Sequence, residues 1–340
     1  CMLWSDMFVK TANGGEYYPE HFNMTDELVD SVPPEMQLVY WDYTHTDRSA
    51  YEAMIDGHRN FRNELWFSGV AWSCLGFTPH NRYSFKAAEA SLAACREKGL
   101  ENVLITSWKD DGAESSLFSV LPALAYIAAC AEGRADEKRA AELFFDAVGE
   151  KFEDFLCADL PDWVNGDPDL ENPVKYGLYN DPFLGLFDYH LQEGKAAFFA
   201  ESEKKLAELA RKSKYGYLFD TLAKACSVME LKYDLGIVTR RAYREKDVAA
   251  LKRLAEEIYP ETARRVGALY EAFRRQWETE CKLNGFEVHD IRLGGLRQRL
   301  EHCGKTLADY LAGKIEKIDP LEEEVLPFDK NKGRGEGMLY

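Results

Sequence analysis

Four tryptophans end apolar runs in the first 108 residues, and acids follow three of them closely: Trp4-Ser5-Asp6, Trp41-Asp42 and Trp108-Lys109-Asp110, with Trp72-Ser73 the exception. A flat indole offers a surface to the C–H face of a sugar ring, and a neighbouring carboxylate accepts from its hydroxyls. Residues two apart on an extended strand share a face. Tyr40 with Asp42, and Trp108 with Asp110, are therefore expected to stand side by side. Trp4, Asp42, Trp72, Trp108 and Asp110 are the candidate saccharide-binding residues. Asp6 is either a ligand or the partner of a cation on an adjacent strand. Asp111 and Lys109 lie on the other parity and read as solvated loop charges, and Trp66, at the start of its strand, reads as packing. No sequence neighbour of Asp42 or Asp110 would raise its pKa, so both suit hydroxyl binding better than acid catalysis. Asp26-Glu27 opens a helical pattern and reads as a helix start.

Such residues need a scaffold that gathers several strand ends. Apolar runs at 1–8, 36–43, 64–72 and 102–108 alternate with helical patterns at 47–63 and 84–98, the second closed by Gly99. An apolar helical run after the fourth strand ends at Gly133. This alternation, with strands apolar nearly throughout, predicts parallel βα units buried on both faces. From residue 134 the texture changes. Segments such as "KAAFFAESEKKLAELARKSK" carry apolar residues at i, i+3, i+4 and i+7, and no convincing strand follows. The expected fold is α/β: residues 1–133 as the C-terminal half of a TIM (β/α)8 barrel, and 134–340 as an all-α domain. Function in such a barrel sits at the C-terminal strand ends.

The net charge of −17 argues against nucleic acid and against an anionic membrane surface. No apolar run approaches the roughly 20 residues that span a bilayer. Eight cysteines are scattered with no CxxC pair and no metal spacing, which points to small buried hydrophobes in a reducing, cytoplasmic setting. Asn23 in "NMT" fits a glycosylation acceptor. Residues 330–340 lack apolar periodicity and are expected to be disordered. A start at Cys1, already in a strand pattern, leads to the expectation that this is the C-terminal part of a longer protein.

The stretches "MLWSDMF", "LVYWDYTHTD", "GVAWSCLGFTPHN", "ITSWKDDGAESS", "YNDPFLGLFD" and "GFEVHDIRLGGL" resemble glycoside hydrolase family 20, the β-N-acetylhexosaminidases, most closely bacterial members with a helical C-terminal domain. The resemblance implies that Trp108 and Asp110 match the family's Trp-x-acid pair on the last strand, and that Trp4 walls the acetamido pocket. It implies a retaining, exo-acting enzyme that takes N-acetylhexosamine-containing glycans and needs no cofactor. The family route is substrate-assisted: the 2-acetamido oxygen attacks C1, helped by an Asp-Glu pair on barrel strand four, which would lie upstream of this chain, so the chain alone is expected to be inactive. The strand-seven turn "VAWSCLG" lacks the family's tyrosine, so Tyr40 becomes the expected catalytic donor, with Tyr43 in its place should the Tyr40 ring point away. The alternatives are a non-catalytic carbohydrate-binding barrel and a barrel glycosidase for a non-acetamido sugar. "NGFEVHDIRLGGLRQRL" reads as a connector in which Gly294-Gly295 permit a tight turn, or as a segment that brings His289 or Arg292 to a site rim. The helical domain is also the expected seat of a homodimer contact.

Overall fold

The computed structural model describes residues 1–19 and 21–326, so the C-terminal stretch expected to be disordered lies outside the described residues. The chain divides into two compact units. One comprises Cys1–Trp72, His80–Trp108 and Val120–Glu153; the other comprises Ser73–Pro79, Lys109–Ser119 and Asp154–Tyr340.

The first unit holds a four-stranded parallel sheet in sequential order: β1 (Met2–Trp4), β2 (Gln37–Trp41), β3 (Glu64–Val70) and β4 (Val103–Thr106). Between and after the strands come α1 (Asp6–Ala12), α2 (Asp26–Ser31), α3 (Arg48–His58), α4 (Asn81–Glu97), α5 (Leu121–Ala131) and α6 (Glu137–Val148). The first apolar run is extended only to Trp4, because the Ser5 carbonyl accepts from Phe8 N and Val9 N and starts a helix at once. Side-chain caps start three helices where the sequence offers them: Thr25, Asp47 and Asp136 accept from Leu28, Ala50 and Arg139 amides. Gly99 closes α4 with φ at 61°, its amide donating to Arg96 O and that of Leu100 to Cys95 O.

The two faces of this sheet differ. Leu38, Tyr40, Leu65 and Phe67 pack with Tyr51, Met54 and Ile55 of α3 and Ala90, Ala94 and Cys95 of α4 into one apolar core. The alternate parity is mixed: Val39, Ser68 and Val70 are buried, while Met2, Trp4 and Leu104 are 41%, 38% and 37% exposed. Burial on both faces was expected from the apolar strands. On the second face, burial among the described residues is complete at Val39 and Ser68 and partial at Met2, Trp4 and Leu104.

The second unit is helical among the described residues. It holds the second half of α7 (Phe152–Phe155), then a 3₁₀ stretch (Leu156–Trp163), α8 (Pro173–Tyr179), α9 (Ala196–Lys212), α10 (Gly216–Lys232), α11 (Leu235–Arg244), α12 (Val248–Arg253), α13 (Tyr259–Glu280), α14 (Glu287–Leu311) and α15 (Asp319–Glu322). One π turn, Leu254–Ile258, joins α12 to α13 just before Pro260, whose missing N–H cannot continue the regular ladder. Gly294 and Gly295 sit inside α14, not in a tight turn ahead of it; a Cβ at either would meet nothing within 4 Å.

Candidate functional site

Trp4 and Trp108 lie together on the half-open side of the sheet. Their ring centroids are 6.3 Å apart at 53°, and each ring remains more than a third exposed. Trp41 continues the aromatic surface, with Tyr43 at 5.0 Å and Tyr17 at 5.7 Å. The Tyr43 hydroxyl accepts from Thr106 Oγ1 at 3.3 Å. Trp72 packs edge-on to Tyr43 and donates from Nε1 to the Tyr43 carbonyl at 2.8 Å. At 9% exposed, Trp72 is a backing residue for Tyr43 rather than an open platform.

Tyr40 and Asp42 do share a face, as their spacing required, but it is the helix-covered one. Each is 1% exposed. The Tyr40 hydroxyl donates to Asp42 Oδ2 at 2.7 Å, and the same carboxylate takes His45 Nδ1 at 2.8 Å and the amides of Thr44 and His45. Burial and this carboxylate push the Tyr40 phenol well above its ordinary range. Parity fixed their companionship, and the packing of α3 on that side of β2 decided which face it is. Beneath them the Tyr40 ring stacks on His58 at 4.7 Å. His58 Nδ1 hydrogen-bonds Met54 O at 2.7 Å, and its Nε2 lies 2.8 Å from Ser5 Oγ, whose hydroxyl also donates to Val39 O at 3.0 Å. Burial pushes the His58 pKa down to about 4.

Asp110 belongs to the second unit and is exposed. The buried Cys74 thiol hydrogen-bonds it, and burial first, then Asp110, pushes that thiol up to about 12. Lys109 and Asp111 are not the solvated charges their loop position implied. Lys109 is half-buried, and burial brings its pKa down to about 8 against the opposing pull of Glu280. The Asp111 carboxylate, 3% exposed, lies 2.6 Å from Lys175 Nζ and 3.1 Å from Arg292 Nη2. Lys175 also reaches Glu114 Oε2 at 3.0 Å, and Tyr179 donates to Glu114 Oε1 at 3.1 Å. Sequence reasoning passed over Lys175 and Glu114. The available signal was a lysine in the otherwise uncharged run "PVKYGLY", all buried but its last residue.

The chain's two Asp-Glu dipeptides serve helix starts. Asp26-Glu27 forms the first turn of α2; Asp136 caps α6 and Glu137 pairs with Arg82. Among the described residues no cluster of His, Cys, Asp and Glu is placed to hold a metal, and no helix is long and apolar enough to cross a membrane. Six of the eight cysteines are buried; Cys1 and Cys281 are exposed.

Residues 153–340, just over half of the chain, match the family described as the Glycoside Hydrolase 20C C-terminal domain. No curated protein matches the chain.

Proposed function

The chain belongs to the Glycoside Hydrolase 20C C-terminal domain family, and on that premise we propose that it is the C-terminal portion of a retaining, exo-acting β-N-acetylhexosaminidase. The observation that carries the reading is the pair of half-exposed indoles, Trp4 and Trp108, on the open side of the sheet. The four strands are read as the last four of a (β/α)8 barrel. Sequential parallel order supports this, since a doubly wound sheet reverses its order at a switch point. The exposure of Met2, Trp4 and Leu104 on one parity supports it too, because an all-parallel sheet is normally covered on both sides.

In this reading the sugar ring stacks on Trp108 and Trp4. The exposed carboxylate of Asp110 is read separately as an acceptor for sugar hydroxyls. The acetamido oxygen of the substrate attacks C1. The glycosidic oxygen leaves with a proton from a glutamic acid upstream of this chain, and the sugar closes to an oxazolinium ion. Water, deprotonated by the same glutamate, then opens that ring with net retention. Tyr43 takes the role of donor to the acetamido oxygen that Tyr40 cannot fill from the covered face. No cofactor is required, because the substrate supplies the nucleophile.

The test is hydrolysis of p-nitrophenyl β-GlcNAc and β-GalNAc by the full-length protein, with the product anomer followed by NMR. Release of the β-anomer and inhibition by a thiazoline analogue of the oxazolinium ion support the proposal. Binding without turnover assigns a non-catalytic carbohydrate-binding role instead. A homodimer is proposed as well, on the exposed Leu184, Leu186 and Tyr189 of the second unit. Light scattering that gives the monomer mass at micromolar concentration overturns it.

A further inference from the structure

Residues 111–113 carry three successive positive φ angles: 46° at Asp111, 101° at Gly112 and 52° at Ala113. Only the middle residue is a glycine, so Asp111 and Ala113 hold a conformation that L residues seldom adopt. Such backbone persists where its surroundings over-determine it, and it clusters at binding sites. The surroundings here are three helices of the second unit. From α8, Lys175 donates to the Asp111 carbonyl at 3.0 Å and pairs with the Asp111 and Glu114 carboxylates, while Tyr179 holds the other oxygen of Glu114. From α13, Gln276 donates to Glu114 O at 3.0 Å and Glu280 accepts from Leu117 N at 2.7 Å. From α14, His289 Nε2 donates to Gly112 O at 2.6 Å and Arg292 pairs with Asp111.

We propose that this buried clamp positions Asp110 for substrate, so that Lys175, Arg292, His289 and Tyr179 are positioning residues for hydroxyl recognition. Asp110 immediately precedes Asp111, whose carbonyl and both carboxylate oxygens are engaged, while Asp110 stays exposed. Stability alone would not call for this chemistry. A buried ion network gains little over apolar packing of the same volume, but it is directional, and each bond restrains one atom of the segment. The inference rests on the reading of Asp110 as a sugar ligand. The three helices thus hold the exposed end of a strained segment at one place and angle.

The experiment compares Arg292→Ala, Arg292→Lys and Tyr179→Phe with wild type in the full-length protein. Arg292 is a quarter exposed, so its loss is tolerable to the fold. Two quantities are read: amide hydrogen exchange across 109–119, and kcat and KM on p-nitrophenyl β-GlcNAc and β-GalNAc. Arg292→Ala is expected to speed exchange in 110–117 while α10 and α13 stay protected. It should raise KM by about tenfold, a modest share of what a 1 Å misplacement can cost, leave kcat within about twofold, and change the GlcNAc-to-GalNAc preference. Arg292→Lys should recover part of the KM, and Tyr179→Phe should move both readouts the same way by less. Faster exchange with unchanged KM and preference overturns the positioning role and leaves a purely structural clamp. Unchanged exchange overturns the clamp. No hydrolysis by wild type is the separate failure of the proposed function, and the positioning role falls with it.

Discussion

The Tyr40 hydroxyl donates to Asp42 Oδ2 over 2.7 Å, and both side chains are closed off beneath the helices that pack on β2. On the proposed reading, two tyrosines three residues apart divide the labour. Tyr40→Phe should cost about 1–2 kcal/mol of stability, the scale of a buried hydrogen bond whose carboxylate partner keeps its other donors, and leave kcat within about twofold. Tyr43→Phe should leave stability nearly unchanged and lower kcat by about 10²–10³-fold, as removing one oxyanion-type donor does. Kinetics and urea melts of both variants check this, and a kcat loss confined to Tyr40→Phe would reverse the assignment.

Trp108→Ala and Trp4→Ala should each cost on the order of 2 kcal/mol in kcat/KM through lost stacking on the sugar. Stability should change little, because both rings are already more than a third exposed. Asp110→Asn should weaken both epimeric substrates unequally. Wild-type kinetics in Trp108→Ala would remove the ring from the site.

His58 supplies a pH dependence of stability. Its folded pKa of about 4 lies below the unfolded 6.5 because burial disfavours the imidazolium. Below pH 6.5 the unfolded chain therefore binds a proton that the folded chain refuses, and stability falls as pH drops from 6.5 towards 4. The full loss is about 3 kcal/mol at 1.36 kcal/mol per pKa unit. His58→Phe should flatten this part of the profile in urea unfolding at stepped pH. An equal slope in the variant would exclude His58 as the source.

Gly112 stands where a side chain has neither room nor backbone freedom. A Cβ there would lie 2.8 Å from Arg292 Nη1 and 3.1 Å from His289 Cε1, at φ 101°. Gly112→Ala should lower the Tm by several degrees, equivalent to about 1–3 kcal/mol. Gly294→Ala, with open space at its Cβ and helical backbone around it, should be neutral or stabilising by up to about 1 kcal/mol. Calorimetry of the pair tests whether the two glycines differ in this way.

The strand and helix alternation was legible because short, nearly continuous apolar runs alternate with segments of period 3.6, and because glycines 99 and 133 mark helix ends. Trp4 and Trp108 were legible from their places at strand ends. The face that Tyr40 and Asp42 occupy was not: a parallel strand apolar on both sides carries no sign of which side the helices take. Asp111 misled for a different reason. Its charge looked solvated because its partners stand at 175 and 292, far along the sequence, where a lone lysine and an arginine in helical patterns give no sign of what they approach. Gly294-Gly295 misled because two adjacent glycines resemble a turn, although the residues on either side carry α14 straight through them.

The placement of the thiols makes the native chain its own measuring device. Cys95 and Cys130 are sealed in the first unit and Cys74, Cys157, Cys226 and Cys303 in the second, while the two exposed thiols, Cys1 and Cys281, fall one in each unit. Under native conditions a maleimide should therefore find two sites, one per unit. A donor and an acceptor dye attached there would read the separation of the units in solution with no residue changed. Pulse labelling of the remaining six, located by peptide mass, would report which unit opens first as denaturant rises.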